Sequence, residues 1–191
     1  MMGPTGTGVL AARRGEFLRE LRPVLIGGET VEWSTLEGHA LRGPPHRFEA
    51  GLQNYAGVIG AGAAVAFLQS HDHAGITAHD RALNTELTRA LEDEPRLRVL
   101  GPADPGERPS IFAFTLRGVD PNDGALFLDE AHRVLLRSGM HCVHSWYRAR
   151  GLSGNLRASF YLYNDPSDVR ALVDGVRELL ERIPASGPVA N

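Results

Sequence analysis

The second half of the sequence predicts an α+β lobe, in which helices cover a small antiparallel sheet. From about residue 95, strand-like runs alternate with helical runs, and the apolar residues of 110–116 alternate as in a half-buried strand. The last helical run starts at Asn164-Asp165-Pro166 and carries an apolar stripe with a period of about 3.6 residues. The members of this stripe are Val169, Leu172, Val173, Val176, Leu179, Leu180 and Ile183. Such a stripe needs an apolar surface to cover, and the strands can provide it.

The first half of the sequence contains fewer regular elements. Residues 3–8 are dense in glycine and predict a turn, followed by a short strand at 9–12. Residues 25–51 are polar and rich in turn formers, which indicates an extended hairpin or arm. Residues 55–69 predict a helix of small apolar residues. One face of this helix is suited to close packing against a sheet or another helix, and it comprises Val58, Ile59, Gly62, Val65 and Ala66.

The second half opens with a helix, and Thr77 is expected to cap it, with Asp80 completing an approximate capping box. The buried face of this helix is predicted from leucines at a spacing of four, which are Leu83, Leu87 and Leu91. A further helix starts at Asp120-Pro121, because proline is tolerated at the first helical position. Strands are expected at residues 98–100, 110–116, 133–136 and 157–163.

The composition restricts the classes of protein that the chain can represent. With 191 residues, of which 42% are hydrophobic and 23% charged, it fits one globular domain, or a small domain and a remnant of another. The formal net charge of -3 gives no general reason to expect nucleic-acid or membrane binding. The longest apolar run, residues 58–68, is too short to span a bilayer. A single cysteine and no visible secretory signal favour the cytoplasm.

Cys142 is the only cysteine, and it lies in the segment Arg137-Ser-Gly-Met-His-Cys-Val-His-Ser-Trp146. A lone cysteine is more often a small buried hydrophobe than a nucleophile. However, Gly139 indicates a bent backbone rather than a strand interior, and His141 and His144 could favour the thiolate or move a proton. Cys142 is therefore a candidate nucleophile, and the two histidines are candidates for the support of its loop.

Arg157 and Arg137 are candidate ligands for an anionic substrate. Arg157 opens the predicted strand that follows the cysteine segment. It could equally be a surface ion-pair residue, but its guanidinium can bind a carboxylate through two parallel hydrogen bonds. For Arg137, a role in shaping the loop and a contact with the substrate are equally consistent with the sequence.

A metal site is not expected. His71, Asp72, His73 and His79 lie close together in the sequence, but imidazoles in a loop between two helices are usually solvated. No cysteine or paired carboxylate near them completes a coordination shell. The sequence also shows neither the nucleophile motif of serine hydrolases nor a basic, aromatic stripe for nucleic acid.

Residues 137–146 and 157–164 together resemble the C-terminal signature of the class V aminotransferase-like family of pyridoxal-phosphate enzymes. Within that family they are most similar to cysteine desulfurases of the SufS type. Gly3-Pro-Thr-Gly6 and Arg47-Phe-Glu-Ala-Gly51 add to the resemblance. It implies part of an α/β fold, fold type I of the pyridoxal-phosphate-dependent transferases. Residues 1–70 would be the end of the large cofactor-binding domain with an interface arm, and residues 71–191 the small C-terminal domain.

The resemblance also implies an activity. Cys142 would take sulfur from L-cysteine, which leaves L-alanine and an enzyme persulfide, and Arg157 would hold the substrate carboxylate. The sulfur would pass to an acceptor protein, typically for iron–sulfur cluster assembly, and the enzyme would be a homodimer. A selenocysteine lyase, a related class V lyase or aminotransferase, and a non-catalytic interaction lobe are the alternatives.

Three features depart from the family pattern. The chain contains no lysine, so it cannot hold pyridoxal phosphate covalently by itself, and the Schiff-base lysine is expected immediately before Met1. Leu52 stands where the family has a threonine, so the contact with the cofactor phosphate of the neighbouring subunit would pass to Gln53, Asn54 or backbone amides. Met140 replaces a histidine. We therefore expect half of a split enzyme, a fragment or a stand-alone lobe, with a missing N-terminal half as the partner of the active form.

Overall fold

The computed structural model describes residues 2–108 and 110–183. The chain forms two compact units, Met1–His71 and Asp72–Asn191. The first unit contains a two-stranded sheet and the second a four-stranded sheet.

The first unit has a β-hairpin between two helices. Its elements are α1 (Gly15–Glu20), β1 (Val31–Ser34), β2 (His39–Leu41), a 3₁₀ turn (His46–Phe48) and α2 (Tyr55–Gln69). The two strands pair antiparallel, which confirms the predicted hairpin. Thr30 is fully buried just before β1, and its hydroxyl accepts from the Gly27 N–H at 2.9 Å and donates to the Gly27 carbonyl at 2.7 Å. These bonds close the base of the arm.

The strand predicted at residues 9–12 is wrong. Val9 and Leu10 lie in irregular backbone and are 85% and 62% exposed. Neither residue pairs with a described strand. A strand needs a neighbour that satisfies its backbone groups, and the short helix α1 follows here instead.

Helix α2 begins where the sequence predicts. The Asn54 side chain accepts a hydrogen bond from the Gly57 N–H at 3.0 Å, which caps the first turn. Val58 and Ile59, which lie on the face predicted to pack, are 62% and 74% exposed. The described chain therefore leaves this apolar face of α2 uncovered.

The second unit is a four-stranded antiparallel sheet covered by helices. Its elements are α3 (His73–Leu91), β3 (Leu97–Val99), a 3₁₀ turn (Pro105–Glu107), β4 (Ile111–Leu116), α4 (Pro121–His132), β5 (Arg137–Gly139), α5 (His144–Arg148), β6 (Asn155–Ser159) and α6 (Pro166–Arg182). The strand order is β3-β4-β6-β5, and every neighbouring pair is antiparallel. This architecture confirms the predicted α+β lobe.

The core lies between one face of this sheet and helices α3, α4 and α6. Phe112, Phe114 and Leu156 of β4 and β6 are buried against the predicted leucines of α3 and the apolar stripe of α6. Helices α4 and α6 approach closely at Gly175, where an added Cβ would lie 2.6 Å from the Leu128 Cδ2 atom. On the opposite face of the sheet, the Asn155 side chain of β6 contacts Tyr147 of α5, in the segment between β5 and β6.

The predicted start of α3 is wrong. The N-cap is Asp72, whose carboxylate accepts from the Ala74 N–H at 3.0 Å. Thr77 lies inside the helix, where its hydroxyl donates to the His73 carbonyl at 3.0 Å. Aspartate caps a helix at least as well as threonine, so the helix extends by a further turn at its N-terminus.

Two strand boundaries near the cysteine also differ from the prediction. Residues 133–136 are not a strand, because Arg133 has a left-handed backbone (φ 55°) and ends α4. Strand β5 starts only at Arg137, where pairing with β6 begins. Strand β6 starts at Asn155, so Arg157 lies inside the strand and does not open it. The last helix, α6, starts as predicted, with Asp165 as its N-cap.

Candidate active site

The cysteine loop comprises residues 140–143, between β5 and α5. Gly139, His141 and Cys142 have positive φ angles of 96°, 47° and 64°, so the chain turns sharply after the strand. Glycine adopts this conformation freely, whereas each non-glycine residue in it costs roughly 1–2 kcal/mol. Strained backbone of this kind is concentrated at functional sites. Cys142 is exposed at the turn, and a nucleophile requires such access.

Arg137 and Arg157 lie opposite each other in β5 and β6. The register pairs them directly, and directly opposite residues of antiparallel strands have side chains on the same face. The Arg137 Nη2 atom lies 3.8 Å from Cys142 Sγ, so a positive charge lies beside the sulfur. The Arg157 Nε atom is inaccessible to solvent and has no hydrogen-bond partner among the described residues. The strand pairing therefore brings three predicted site residues together.

Asn155 is the centre of a hydrogen-bond network that the sequence analysis missed. Its side chain is fully buried, and it pairs with Gly139 in the register of β5 and β6. The Asn155 Oδ1 atom accepts from the Tyr147 hydroxyl at 2.6 Å and from His141 Nε2. One signal could have found it: Asn155 precedes Arg157 by two residues, which places both side chains on one face of the strand.

The two ionisable members of this network are held uncharged. Burial lowers the pKa of His141 from its ordinary value, and the charges of Arg157 and Arg137 lower it further, while the hydrogen bond with Asn155 opposes the change. His141 is therefore neutral at physiological pH. Burial raises the pKa of Tyr147, so its hydroxyl stays a hydrogen-bond donor.

His144 does not take part in the network. It is the first residue of α5, and its side chain is exposed. No hydrogen bond joins it to another side chain within residues 2–108 and 110–183. Of the two predicted supporting histidines, the structure therefore places only His141 in contact with the residues around Cys142.

Gln53 and Asn54, the predicted contacts of a cofactor phosphate, lie in the first unit just before α2. The Gln53 Nε2 atom donates to the carbonyls of Glu49 at 3.3 Å and Gly51 at 3.1 Å. The Asn54 Oδ1 atom caps α2, and its Nδ2 atom donates to the Gly6 carbonyl at 3.5 Å. Both side chains hold the first unit together, and their contact with a phosphate stays a prediction.

His73 and His79 lie inside α3 and not in a loop between two helices, so this part of the sequence interpretation is wrong. His71 and His79 have structural partners. The His79 Nε2 atom lies 2.8 Å from the Asn164 carbonyl oxygen, and the His71 Nδ1 atom lies 2.8 Å from that of Phe67. In the part of the chain that the structure describes, no group of three or more His, Cys, Asp or Glu side chains could hold a metal ion. No helix in that part is both long enough and apolar enough to cross a membrane.

Comparisons with known sequences connect this chain with one family. The family model described as "Aminotransferase class-V" matches residues 1–172. A probable cysteine desulfurase of Streptomyces coelicolor is 39% identical over 94% of this chain and 42% of its own length. The cysteine desulfurase CsdA of Escherichia coli is 38% identical over 95% of this chain and 44% of its own length.

Solved structures show the same similarity. The crystal structure of CsdA from Escherichia coli, in an S-sulfonic acid form, matches with a TM-score of 0.87 at 36% identity, over 95% of this chain and 44% of that chain. The apo structure of a cysteine desulfurase from Thermococcus onnurineus NA1 matches with a TM-score of 0.80 at 33% identity, over 89% and 42%. The chain thus spans less than half the length of the relatives it matches.

Proposed function

Because this chain belongs to the class V aminotransferase family, we propose that it is the C-terminal part of a pyridoxal-phosphate-dependent cysteine desulfurase. Cys142 is its sulfur-accepting nucleophile. The observation that carries the proposal is an exposed thiol on a strained turn, with the Arg137 guanidinium 3.8 Å from its sulfur. The thiolate is the reactive form of cysteine, and the guanidinium offers this sulfur a charged hydrogen-bond partner. The similarity to proteins named as cysteine desulfurases supports the same activity.

The proposed reaction transfers one sulfur atom from L-cysteine to Cys142. The Cys142 thiolate attacks the substrate sulfur, and an S–S bond forms while the substrate Cβ–S bond breaks. The electron pair of the broken bond stays with carbon, which takes up a proton to give L-alanine. Cys142 is left as a persulfide, so the step balances without an external oxidant. Pyridoxal phosphate, when bound, supplies the electron sink that weakens the Cβ–S bond.

The two arginines of the site have different proposed roles. Arg157 binds the carboxylate of L-cysteine, because its guanidinium offers a planar fork of donors that matches a carboxylate. The buried Arg157 Nε atom, which has no partner among the described residues, supports this role. Arg137 already lies beside Cys142 Sγ, so it stabilises first the thiolate and then the persulfide anion.

The residues of this chain fit one part of a pyridoxal-phosphate site. The 191 residues include no lysine, so the Schiff-base lysine has to come from a segment outside them. Arg157 fits the substrate carboxylate, whereas Gln53 and Asn54 already have backbone partners. In the proposed enzyme, residues 1–70 are the end of the large domain and residues 71–191 are the small domain. Its activity needs an N-terminal half that carries the Schiff-base lysine, and the complete enzyme is a homodimer.

The persulfide is proposed to pass to a sulfur-acceptor protein in the cytoplasm, for iron–sulfur cluster assembly or another sulfur-requiring synthesis. In this transfer a thiolate of the acceptor attacks the outer sulfur, and Cys142 leaves as a thiolate. The exposure of Cys142 supports the proposal, because the acceptor thiolate has to reach the outer sulfur atom.

The test uses the chain assembled with a lysine-bearing N-terminal half of a similar desulfurase. Cys142→Ala should abolish persulfide labelling and alanine formation, and it should leave the cofactor absorbance unchanged, because Cys142 holds no part of the cofactor. Ser145→Ala changes a neighbouring exposed side chain and serves as the matched control that keeps both activities. Alanine formation at an unchanged rate in Cys142→Ala would contradict the proposal and favour another class V reaction.

A further inference from the structure

The loop that carries Cys142 has a conformation that needs support from its surroundings. His141 and Cys142 both have positive φ angles, of 47° and 64°, which are unfavourable for residues other than glycine. Two short turns stabilise the segment: the Val143 N–H donates to the Met140 carbonyl at 2.9 Å, and the Trp146 N–H donates to the Val143 carbonyl at 3.0 Å. Strained backbone persists only where the surrounding structure holds it in place.

The Asn155 side chain contacts this segment on both sides of Cys142. Asn155 is fully buried in β6, and its backbone pairs with that of Gly139 in β5. The Asn155 Oδ1 atom accepts from His141 Nε2, immediately before Cys142 in the chain. The same oxygen accepts from the hydroxyl of Tyr147 at 2.6 Å, in the helix that follows Cys142. One amide group therefore joins both flanks of the cysteine to the sheet.

The orientation of this amide is fixed by the strand itself. The Asn155 Nδ2 atom donates to the Leu156 carbonyl at 3.0 Å. If the amide were reversed, two oxygen atoms would face each other at this contact, and its NH₂ group would face the Tyr147 hydroxyl and His141 Nε2. The orientation with Oδ1 toward the loop gives every one of these groups a partner. Loss of Oδ1 would leave the buried Tyr147 hydroxyl without its acceptor, which is unfavourable.

The position that these hydrogen bonds give to Cys142 is the one that the proposed reaction needs. The Arg137 Nη2 atom lies 3.8 Å from Cys142 Sγ, and Arg137 pairs directly with Arg157, the proposed carboxylate ligand. Attack on a bound substrate requires the reacting atoms to be close and aligned, and a misplacement of about 1 Å can cost about 100-fold in rate.

We propose that Asn155 is a positioning residue, whose side-chain oxygen holds the Cys142 loop against β6 through His141 and Tyr147, so that the thiol is aligned with the substrate sulfur. The inference rests on the proposed role of Cys142 as the nucleophile. Asn155 itself touches neither the substrate nor the sulfur. Its loss should therefore slow the attack of Cys142 on the bound substrate and leave the binding of the substrate carboxylate unchanged.

The first test measures single-turnover persulfide formation in the chain assembled with a lysine-bearing N-terminal half. His141→Leu removes the donor to Asn155 and should lower the rate constant by about 10–100-fold, with the half-saturating concentration of L-cysteine unchanged. In His141→Gln the amide nitrogen can take the place of Nε2 as the donor, so this variant should recover most of the rate. Ser145→Ala, in the same segment, is the matched control. Equal losses in the Leu and Gln variants would overturn the proposal.

The second test separates a positioned loop from a stable fold, and it uses hydrogen exchange of the 191-residue chain. The backbone amides of Val143 and Trp146 should exchange faster in Asn155→Leu, whereas those of β4 and α6 should keep their rates. Tyr147→Phe keeps the aromatic ring and removes one of the two hydrogen bonds, so it provides the same comparison with a smaller disturbance of the core. Faster exchange throughout the second unit in both variants would contradict a local positioning role.

The third test compares persulfide formation with a reaction that needs no aligned substrate. At about pH 9.5, where an ordinary thiol is ionised, alkylation of Cys142 by iodoacetamide should be at least as fast in His141→Leu as in the unaltered chain. A parallel loss of alkylation and persulfide formation would count against positioning. The proposed function has its own outcome: alanine formation that persists in Cys142→Ala would overturn it, whereas equal persulfide formation in His141→Leu and the unaltered enzyme would overturn only the inference about Asn155.

Discussion

The backbone of Arg157 is paired on both sides, and its Nε–H group has no hydrogen-bond partner among the described residues. It pairs with Ala113 of β4 on one side and with Arg137 of β5 on the other, so its backbone is held by two neighbouring strands. Lysine keeps the charge but lacks the planar fork. Arg157→Lys should therefore raise the KM for L-cysteine by about 10–100-fold, the loss expected for one hydrogen bond to a charged group, with a smaller change in kcat.

The matched control for this substitution is Arg98→Lys. Arg98 lies in β3, at the other edge of the same sheet, and it is exposed. The same conservative change there should leave KM and kcat at the values of the unaltered enzyme. If Arg157→Lys behaved like this control in steady-state kinetics, Arg157 would be a structural residue.

Cys142, Arg137 and Arg157 were proposed from their residue types together with the resemblance of their segments to the class V family. The structure places the Arg137 guanidinium 3.8 Å from the Cys142 sulfur, and the roles of all three residues stay predictions. Asn155 and Tyr147 could not be found in this way. Their hydrogen bond depends on the register of β5 against β6 and on the return of α5 over the sheet, and neither follows from a local pattern.

Helices α4 and α6 can pack closely because Gly175 of α6 has no side chain. At Gly175 an added Cβ would lie 2.6 Å from Leu128 Cδ2 and 3.1 Å from the ring of His132. Alanine favours a helix more than glycine does, but here the two helices would have to separate. Gly175→Ala should lower the free energy of unfolding by about 1–3 kcal/mol, measured by denaturant unfolding followed with circular dichroism.

The neighbouring position on α6 provides the control. Asp174 is exposed on the same helix, so Asp174→Ala changes helix propensity without entering the interface. Its effect on the free energy of unfolding should stay within about 0.5 kcal/mol. Equal effects of the two substitutions would show that the contact between α4 and α6 can adjust to an extra methyl group.

Elements with strong local signals were predicted well. Helix α6 was placed correctly because its cap and its apolar stripe both act within one helix, and α2 begins after its capping residue. Strands β5 and β6 contain only three and five residues. Their ends are set by where the partner strand lies, so a pattern read along one segment placed them several residues away.

The whole chain lacks the side chain that would bind pyridoxal phosphate covalently. After incubation with pyridoxal phosphate and borohydride reduction, peptide mass spectrometry of the isolated chain should show no side-chain adduct. Any adduct should lie on the α-amino group. The Arg98→Lys variant is the positive control, because borohydride reduction should trap pyridoxal phosphate on its exposed amine. A reduced adduct on any side chain of the unaltered protein would contradict this expectation.

Because Arg137 pairs directly with Arg157, the stability of the folded second unit should depend on which anions are present in solution. Like charges opposite each other on neighbouring strands destabilise their pairing, and β5 is the edge strand that bears this repulsion. An anion held by both guanidinium groups binds only the folded chain, so it stabilises that chain by mass action. At constant ionic strength, the melting temperature should rise when chloride is replaced by sulfate, and Arg137→Gln should weaken this response. Ligand occupancy and conformational stability are therefore coupled at this sheet edge.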